Sequence, residues 1–338
     1  MIGDGAVVVI TGASAGLGRA VARGFARRHC RIGLIARGEE RLEATRAEVG
    51  ALGGQAVWKS ADVSDPEAIE RAADAFEQEL GSIDVWVNSA MVTVFSPFAE
   101  MTPAEFRRVI DVTLMGQVHG TMAALRRMRR RNRGTIVQVG SALAWRAIPL
   151  QSAYCAAKQG VRAFTDALRS ELLHDHSRIR LTMVQMPAIN TPQFDWARNR
   201  LRHRPRPVAP IFQPEAAANA VLRAADDAPR ELWVGRSSIK AILGSLFLGS
   251  AIDRYLAKDG YSGQQSSQIE PTDRPDNLYA PVRGGFGARG RFDREAEASA
   301  FSIGQTTAER LLMAGGLAVA ASAVTLGGLQ LRRRLKGA

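Results

Sequence analysis

Tyr154 and Lys158 stand four residues apart in the run Ser152-Ala-Tyr-Cys-Ala-Ala-Lys158. If that run is helical, phenol and ammonium leave the same face about one turn apart. A free phenol, with a pKa near 10, is a poor acid or base at neutral pH, but a cation held beside it stabilises the phenolate and lowers that value. Such a pair moves a proton. Ser141, ahead of a loop containing Pro149, brings a hydroxyl to the same substrate oxygen from the other side.

The elements that must position these groups follow from the apolar runs around them. Ala6–Ile10 has the length and composition of a strand, and Thr11-Gly-Ala-Ser-Ala-Gly-Leu-Gly18 leads from it into an amphipathic stretch ending near Arg28. Glycines between a strand and a helix let the backbone turn tightly and approach a pyrophosphate, whose charge meets the helix N-terminus. Gly12, Ser14, Ala15, Gly16, Leu17 and Gly18 are therefore candidate cofactor-binding residues. A second strand, Arg31–Ala36, is followed by Arg37, with no acid before Glu39. An acid at this point holds the ribose 2′-hydroxyl of NAD, whereas a basic residue accommodates the 2′-phosphate of NADP. NADP(H) is thus the expected cofactor, with Arg37 on its phosphate. Further strands at 55–60, 83–88, 134–140, 180–185 and 231–235 alternate with helical stretches. One of these opens on Ser64 as cap with Pro66 in its first turn, and another on the capping signal Thr102-Pro-Ala-Glu105, running to about Arg131. The alternation predicts an α/β, Rossmann-type doubly wound, mainly parallel seven-stranded sheet with helices on both faces. Ser141 then sits at a strand's carboxyl edge, where open α/β sheets place their ligands.

The spacing Gly-x-x-x-Gly-x-Gly, followed in order by Asp62, Asn88, Ser141, Tyr154, Lys158 and Thr191, resembles the short-chain dehydrogenase/reductases over residues 1 to about 257. The resemblance implies hydride exchange between NADP(H) and an alcohol or carbonyl compound. It makes Tyr154 the general acid in reduction and the base in oxidation, with Lys158 on the nicotinamide ribose hydroxyls and Ser141 on the substrate oxygen. It places Asp62 and Val63 beside the adenine, and Ile189 and Thr191 at the nicotinamide carboxamide. Asn88 and Ala90 match the family's Asn-Asn-Ala-Gly, while Ser89 and Met91 depart from it, so that a methionine walls the active site. Thr113 stands where many relatives carry the asparagine of a water-linked proton path to the lysine, and is the candidate to hold that water. A homodimer or tetramer through the helices of Thr102 and Tyr154 is also implied. The departures support a rival reading, a non-catalytic membrane-associated NADP(H) sensor or scaffold. A third keeps the enzyme but makes it a reductase of 3-oxoacyl groups on an acidic carrier.

At 338 residues and 46% hydrophobic, the chain can bury one large core plus an appendage. Cys30 and Cys155 form neither a disulfide framework nor a metal set, so no metal is expected and the compartment is reducing. The net charge of +12 is concentrated in arginines at 126–133, at 198–206 and in the 332–336 tail; without interleaved aromatics or a nucleic-acid motif, nucleic acid is not an expected partner. No secretory leader is readable at the start. Residues 192–212, with Phe194, Trp196 and five arginines at alternate positions, read as a flexible lid over a bulky, apolar or lipid-like substrate, the arginines free to meet an anionic group. Residues 258–308 read as a flexible linker and 309–338 as a hydrophobic C-terminal helix. Its uncharged stretch Leu311–Leu331 would reach roughly 30 Å, enough for a membrane anchor that spans the bilayer or lies at its headgroups, beneath a cytoplasmic catalytic domain.

Overall fold

The computed structural model describes residues 1–247, 249–310 and 312–314. Its centre is a sheet of strands β1 (Val7–Thr11), β2 (Arg31–Ala36), β3 (Gln55–Ser60), β4 (Ile83–Asn88), β5 (Gly134–Val139), β6 (Ile179–Gln185), β7 (Glu231–Val234) and β8 (Ser302–Gly304). The order is β8-β7-β6-β5-β4-β1-β2-β3. The seven strands expected from the sequence are all parallel, and β8 adds an antiparallel eighth along the edge of β7. The order reverses between β1 and β4, which opens a crevice at their carboxyl ends.

The inner parallel strands are buried on both faces, as Val7-Val-Val-Ile-Thr11 illustrates, so they read as apolar runs rather than alternating ones, whereas the edge strand β3 is partly exposed. One face packs against helices α1 (Gly16–Ala26), α2 (Glu39–Ala51) and α7 (Pro214–Asp227), with Phe25 fully enclosed. The other packs against α3 (Pro66–Leu80), α4 (Pro103–Ile110), α5 (Gly116–Arg131) and α6 (Ser152–His174), around Phe76 and Trp86. The capping box at Thr102 and Glu105 forms as expected. The long helix it opens is interrupted by one π-helical turn, Asp111–Met115, a local widening often found at functional sites. At the start of α3 the cap is Asp65, not Ser64: its carboxylate accepts from the amides of Glu67 and Ala68. Ser64 instead donates to Asp62, 2.7 Å away.

The 192–212 segment is pinned rather than free. Glu105, 1% exposed, accepts from Arg198 at 3.1 Å and from Arg200 at 2.8 Å. Burial opposes its ionisation, but the Arg200 guanidinium and the Thr102 amide outweigh it and hold the carboxyl at about 2. Arg204 and Arg206 pair with Asp195 and Glu295. The arginines expected to await an anion are thus largely spent on the fold, and of the five only Arg206 lines the central cavity.

In place of an unstructured linker, residues 258–308 wrap the carboxyl end of the sheet. Gln265–Ile269 pairs antiparallel with His203–Pro205, Ala296–Glu297 pairs with Ile211–Phe212, and Ser302–Gly304 is β8. Isolated apolar residues, Leu278, Val282, Ala288 and Phe292, anchor it. Such anchors have no helical or strand period, which is why the stretch looks featureless in sequence. No helix among the described residues is long and apolar enough to cross a membrane. The expected anchor at 311–331 lies, but for residues 312–314, outside the described residues.

Candidate active site

One cavity of about 740 Å³ opens at the carboxyl ends of β1, β4, β5 and β6, within the usual range for cofactor and substrate sites. Its wall includes Gly12, Ser14, Ala15, Gly16, Leu17, Gly18, Arg37, Asp62, Val63, Ala90, Ser141, Tyr154, Lys158, Ile189 and Thr191. Of the candidate residues, only Asn88 and Thr113 are not in that wall.

The glycine loop owes its shape to missing side chains. Gly12 has a φ of +71°, and a Cβ there would lie 2.8 Å from the Ala90 Cα. At Gly18 a Cβ would run into the Gly12 carbonyl. The loop therefore lies flush between the β1 end and the segment after β4, its backbone bare toward the cavity, as a pyrophosphate needs. Thr11, which the sequence reading passed over, ties these parts together: its hydroxyl accepts from the amides of Ser89 at 3.0 Å and Ala90 at 3.1 Å. Met91 lines the cavity, as its position in place of a glycine suggested.

Asp62 accepts from Ser64 and from Arg108, and Arg37 lies 3.9 Å from it. Although burial works against it, the Arg108 and Ser64 hydrogen bonds hold the Asp62 carboxyl below its usual range. Arg37 itself donates to two backbone carbonyls of the C-terminal wrap, Asn277 at 2.5 Å and Leu278 at 3.4 Å.

Asn88 is fully buried beneath the cavity floor. Its amide donates to Gln138 at 3.0 Å and Thr121 at 3.1 Å and accepts from Trp86 at 2.8 Å, so it links β4, α5 and β5. Thr113, on the π-helical turn, is likewise enclosed. Its hydroxyl accepts from the Val92 amide at 3.0 Å and donates to the Val92 carbonyl at 2.8 Å. A hydroxyl has one proton to give, and this one is given to the backbone. Its side chain fixes the Met91 loop instead of reaching toward Lys158.

Ser141, Tyr154 and Lys158 meet on one wall. Tyr154 and Lys158 share the cavity face of α6, the ammonium 5.6 Å from the phenol ring centroid and donating to the Val139 carbonyl at 2.7 Å. Burial pushes the Lys158 ammonium down to about 7. It pushes the Tyr154 phenol above its usual value, with the Ser141 hydroxyl pulling the other way. The lowered phenol pKa expected from the lysine is therefore not what the protein alone produces: desolvation drives both groups toward neutrality.

Ser141 is braced from behind by residues with no motif to announce them. Its amide donates to Gln185 Oε1 at 3.0 Å, and Gln185 Nε2 donates to Glu231 at 3.0 Å. Glu231, 1% exposed, also accepts from Trp145, Trp233 and Arg162 at 3.2, 3.1 and 3.2 Å. Trp145 follows Ser141 in the same loop, so this buried carboxylate holds both ends of the turn that carries the serine. Leu143, Ile148, Val208, Ala241, Ile252 and Leu256 make the substrate half of the cavity mainly apolar.

Comparison with known proteins agrees with this geometry. The short chain dehydrogenase family profile matches residues 6–201. An uncharacterized oxidoreductase of Bacillus subtilis, YxnA, is 34% identical over 277 residues, 81% of this chain and 77% of the relative. HetN of Nostoc sp., named a ketoacyl reductase, is 28% identical over 244 residues, 72% of this chain and 83% of HetN. Among solved structures, an alcohol dehydrogenase from the archaeon Thermococcus sibiricus, complexed with 5-hydroxy-NADP, superposes with a TM-score of 0.58 at 27% identity. The match covers 68% of this chain and 95% of that one.

Proposed function

Because the chain belongs to the short-chain dehydrogenases, we propose that it is an NADP(H)-dependent oxidoreductase acting between an alcohol and a carbonyl, on a bulky, apolar substrate. The convergence of Ser141, Tyr154 and Lys158 on one cavity with the glycine loop carries the reading. NADP(H), when bound, supplies or accepts the hydride. Gly12 to Gly18 would hold its diphosphate, Asp62 and Val63 its adenine, Lys158 its nicotinamide ribose, and Ile189 and Thr191 its carboxamide. Tyr154 gives its phenolic proton to the substrate oxygen in reduction and takes it back in oxidation, while the Ser141 hydroxyl holds that oxygen. Arg37 after β2, and the 5-hydroxy-NADP held by the Thermococcus sibiricus relative, support NADP(H) over NAD(H). The apolar substrate wall supports a lipid-like molecule.

Tyr154→Phe is expected to abolish turnover and leave NADPH binding nearly intact; turnover at the parent rate would sink the assignment. The name of HetN favours a second reading, reduction of 3-oxoacyl groups. Of the basic groups it would need for an acidic carrier, the cavity offers Arg146, Arg206 and Lys240, the two arginines already paired with Asp253 and Glu295. A KM that rises steeply with salt would favour the carrier. Membrane association through 311–331, and self-association as a dimer or tetramer through the Thr102 helix (α4 and its continuation α5) and the Tyr154 helix (α6), complete the proposal. Vesicle flotation and light scattering test them, and a protein that neither floats nor exceeds monomer mass would remove both.

A further inference from the structure

The described stretch from Asp276 to Phe292 crosses the mouth of the cavity on the glycine-loop side. It holds several of the donors that the proposed cofactor's anionic half would meet. The Asn277 and Leu278 carbonyls accept from Arg37, the Leu278 carbonyl also accepts from Arg108 at 3.0 Å, and the Val282 carbonyl accepts from Arg41. The Phe286 carbonyl accepts from Arg19 at 3.1 Å, and the Gly287 carbonyl from the amide of Gly16 at 3.1 Å. Asn277 and Pro281 line the cavity itself. At one end the Asn277 amide donates to the Trp196 carbonyl at 2.9 Å, and at the other the Gly290 amide donates to the Asn190 carbonyl at 3.2 Å. The stretch thus bridges the glycine loop, the end of β2 and the substrate lid.

We propose that residues 276–292 are a cofactor gate: a strap that closes the adenosine and diphosphate end of the cleft until NADP(H) displaces it on entry. This rests on the reading of the cavity as a dinucleotide site. The strap and a phosphate share the same donors. The Gly16 amide and the Arg37 guanidinium are donors suited to phosphate oxygens, and here they hold carbonyl oxygens of the strap. A carbonyl carries only a partial charge, so a phosphate, by forming an ion pair, outcompetes it for a guanidinium, and the Gly16 amide exchanges a neutral hydrogen bond for a charge-assisted one roughly twice as strong. Anion binding and strap release are then two sides of one exchange. The strap's composition suits such movement. Its Gly285 and Gly287 have open space where a Cβ would stand, Gly284 has a φ of +122°, and the apolar contacts that seat the strap are single residues rather than a continuous face.

The geometry provides the test. A Cβ built on Gly38 lies 3.5 Å from the Cβ of Pro281, with the flexible Arg41 guanidinium as its nearest neighbour at 3.2 Å. That separation falls within the roughly 3.5–4.5 Å that a disulfide spans. In the full chain, Gly38→Cys with Pro281→Cys locks the strap to the cleft rim when oxidised and frees it when reduced. With the cross-link formed before cofactor is added, NADPH association is followed by stopped-flow tryptophan quenching. Oxidation is expected to slow association by about tenfold or more, as for a gated site, with recovery on adding dithiothreitol and no response in either single-cysteine variant. Equal rates in the oxidised and reduced states, with the cross-link verified by mass, would overturn the gate. Leu278→Asp, which unseats the strap from its apolar socket, provides a second reading: NADPH association faster by about fivefold or more supports the gate, and unchanged association overturns it. If the parent chain binds neither NADPH nor NADH, the dinucleotide reading fails and the gate falls with it. If it binds but the lock has no effect, the gate fails alone.

Discussion

Lys158→Met should make the protein more stable while abolishing its turnover, and the gain should depend on pH. The ammonium is 1% exposed, and burial lowers its pKa from 10.5 to about 7. At about 1.4 kcal/mol per pH unit, that depression corresponds to roughly 5 kcal/mol of cost to the folded state when the lysine is charged in both states, an upper bound on the effect. Methionine keeps the length and removes the charge, but it leaves the Val139 carbonyl without the donor now 2.7 Å away, which costs about 1–3 kcal/mol. The net gain is at most about 2–4 kcal/mol, or roughly 5–10 °C in Tm for a domain of this size. The sign with pH follows from the direction of the shift. Below about 7 the lysine is protonated whether folded or unfolded, and the cost of burying its charge is complete. Between about 7 and 10.5 the folded protein has released the proton and the unfolded chain has not, so the parent gains stability as pH rises. Thermal unfolding of parent and variant from pH 6 to 9.5 should give a Tm difference that is largest at pH 6–7 and shrinks steadily toward 9.5. A variant less stable than the parent at pH 6.5, or a difference flat across the series, would refute the claim that burial of a charge dominates at this position.

Two further outcomes follow from the contacts behind the site. Glu231→Ala leaves Gln185, Trp145, Trp233 and Arg162 without their shared acceptor; breaking a buried charged cluster of this kind costs about 3–5 kcal/mol, discounted to about 3 because Arg162 reaches solvent. The urea midpoint should fall accordingly, and kcat should fall more than KM rises because the Ser141 turn loosens, with Glu231→Gln recovering part of both. A loss under about 1 kcal/mol with unchanged kcat would mean that the cluster does not brace the serine. Arg37→Ser should weaken NADPH binding by roughly ten- to hundredfold, the value of one charge-assisted hydrogen bond, and leave NADH nearly unaffected. An unchanged NADPH-to-NADH ratio in fluorescence titrations would remove Arg37 from the phosphate.

What the sequence disclosed and what it hid divide along a physical line. The glycine loop, the seven parallel strands and the Tyr154–Lys158 pair are local in the chain: a backbone that must turn without side chains, an apolar run buried on both faces, and two groups one helical turn apart. Each is written in fewer than about twenty consecutive residues, and each is found where local spacing places it. The contacts that the reading missed join residues far apart in the chain. Glu105 sits on a helix that looked complete with its capping box, and nothing near it indicates that Arg198 and Arg200 will arrive. Glu231 looks like the polar first residue of an apolar strand, yet it is the buried acceptor on which Gln185 and the Ser141 turn depend. Thr113 was read by its position in a family pattern, but the direction of its hydroxyl is decided by the Val92 backbone. The strap is the extreme case. Its hydrogen bonds to Arg37, Arg41, Arg19 and Gly16 use its own carbonyls, which every residue possesses and no side chain reports. A segment recognised through its backbone leaves no signature in composition or period, so a stretch poor in periodicity between a catalytic fold and an apolar tail is not thereby a linker. The arginines carry the complementary lesson: a guanidinium with five donors can hold a carboxylate, a carbonyl or a phosphate, and sequence records the donor without its acceptor. Here the lid arginines found carboxylates within the fold, while those beside the glycine loop found strap carbonyls, acceptors that an incoming phosphate can replace.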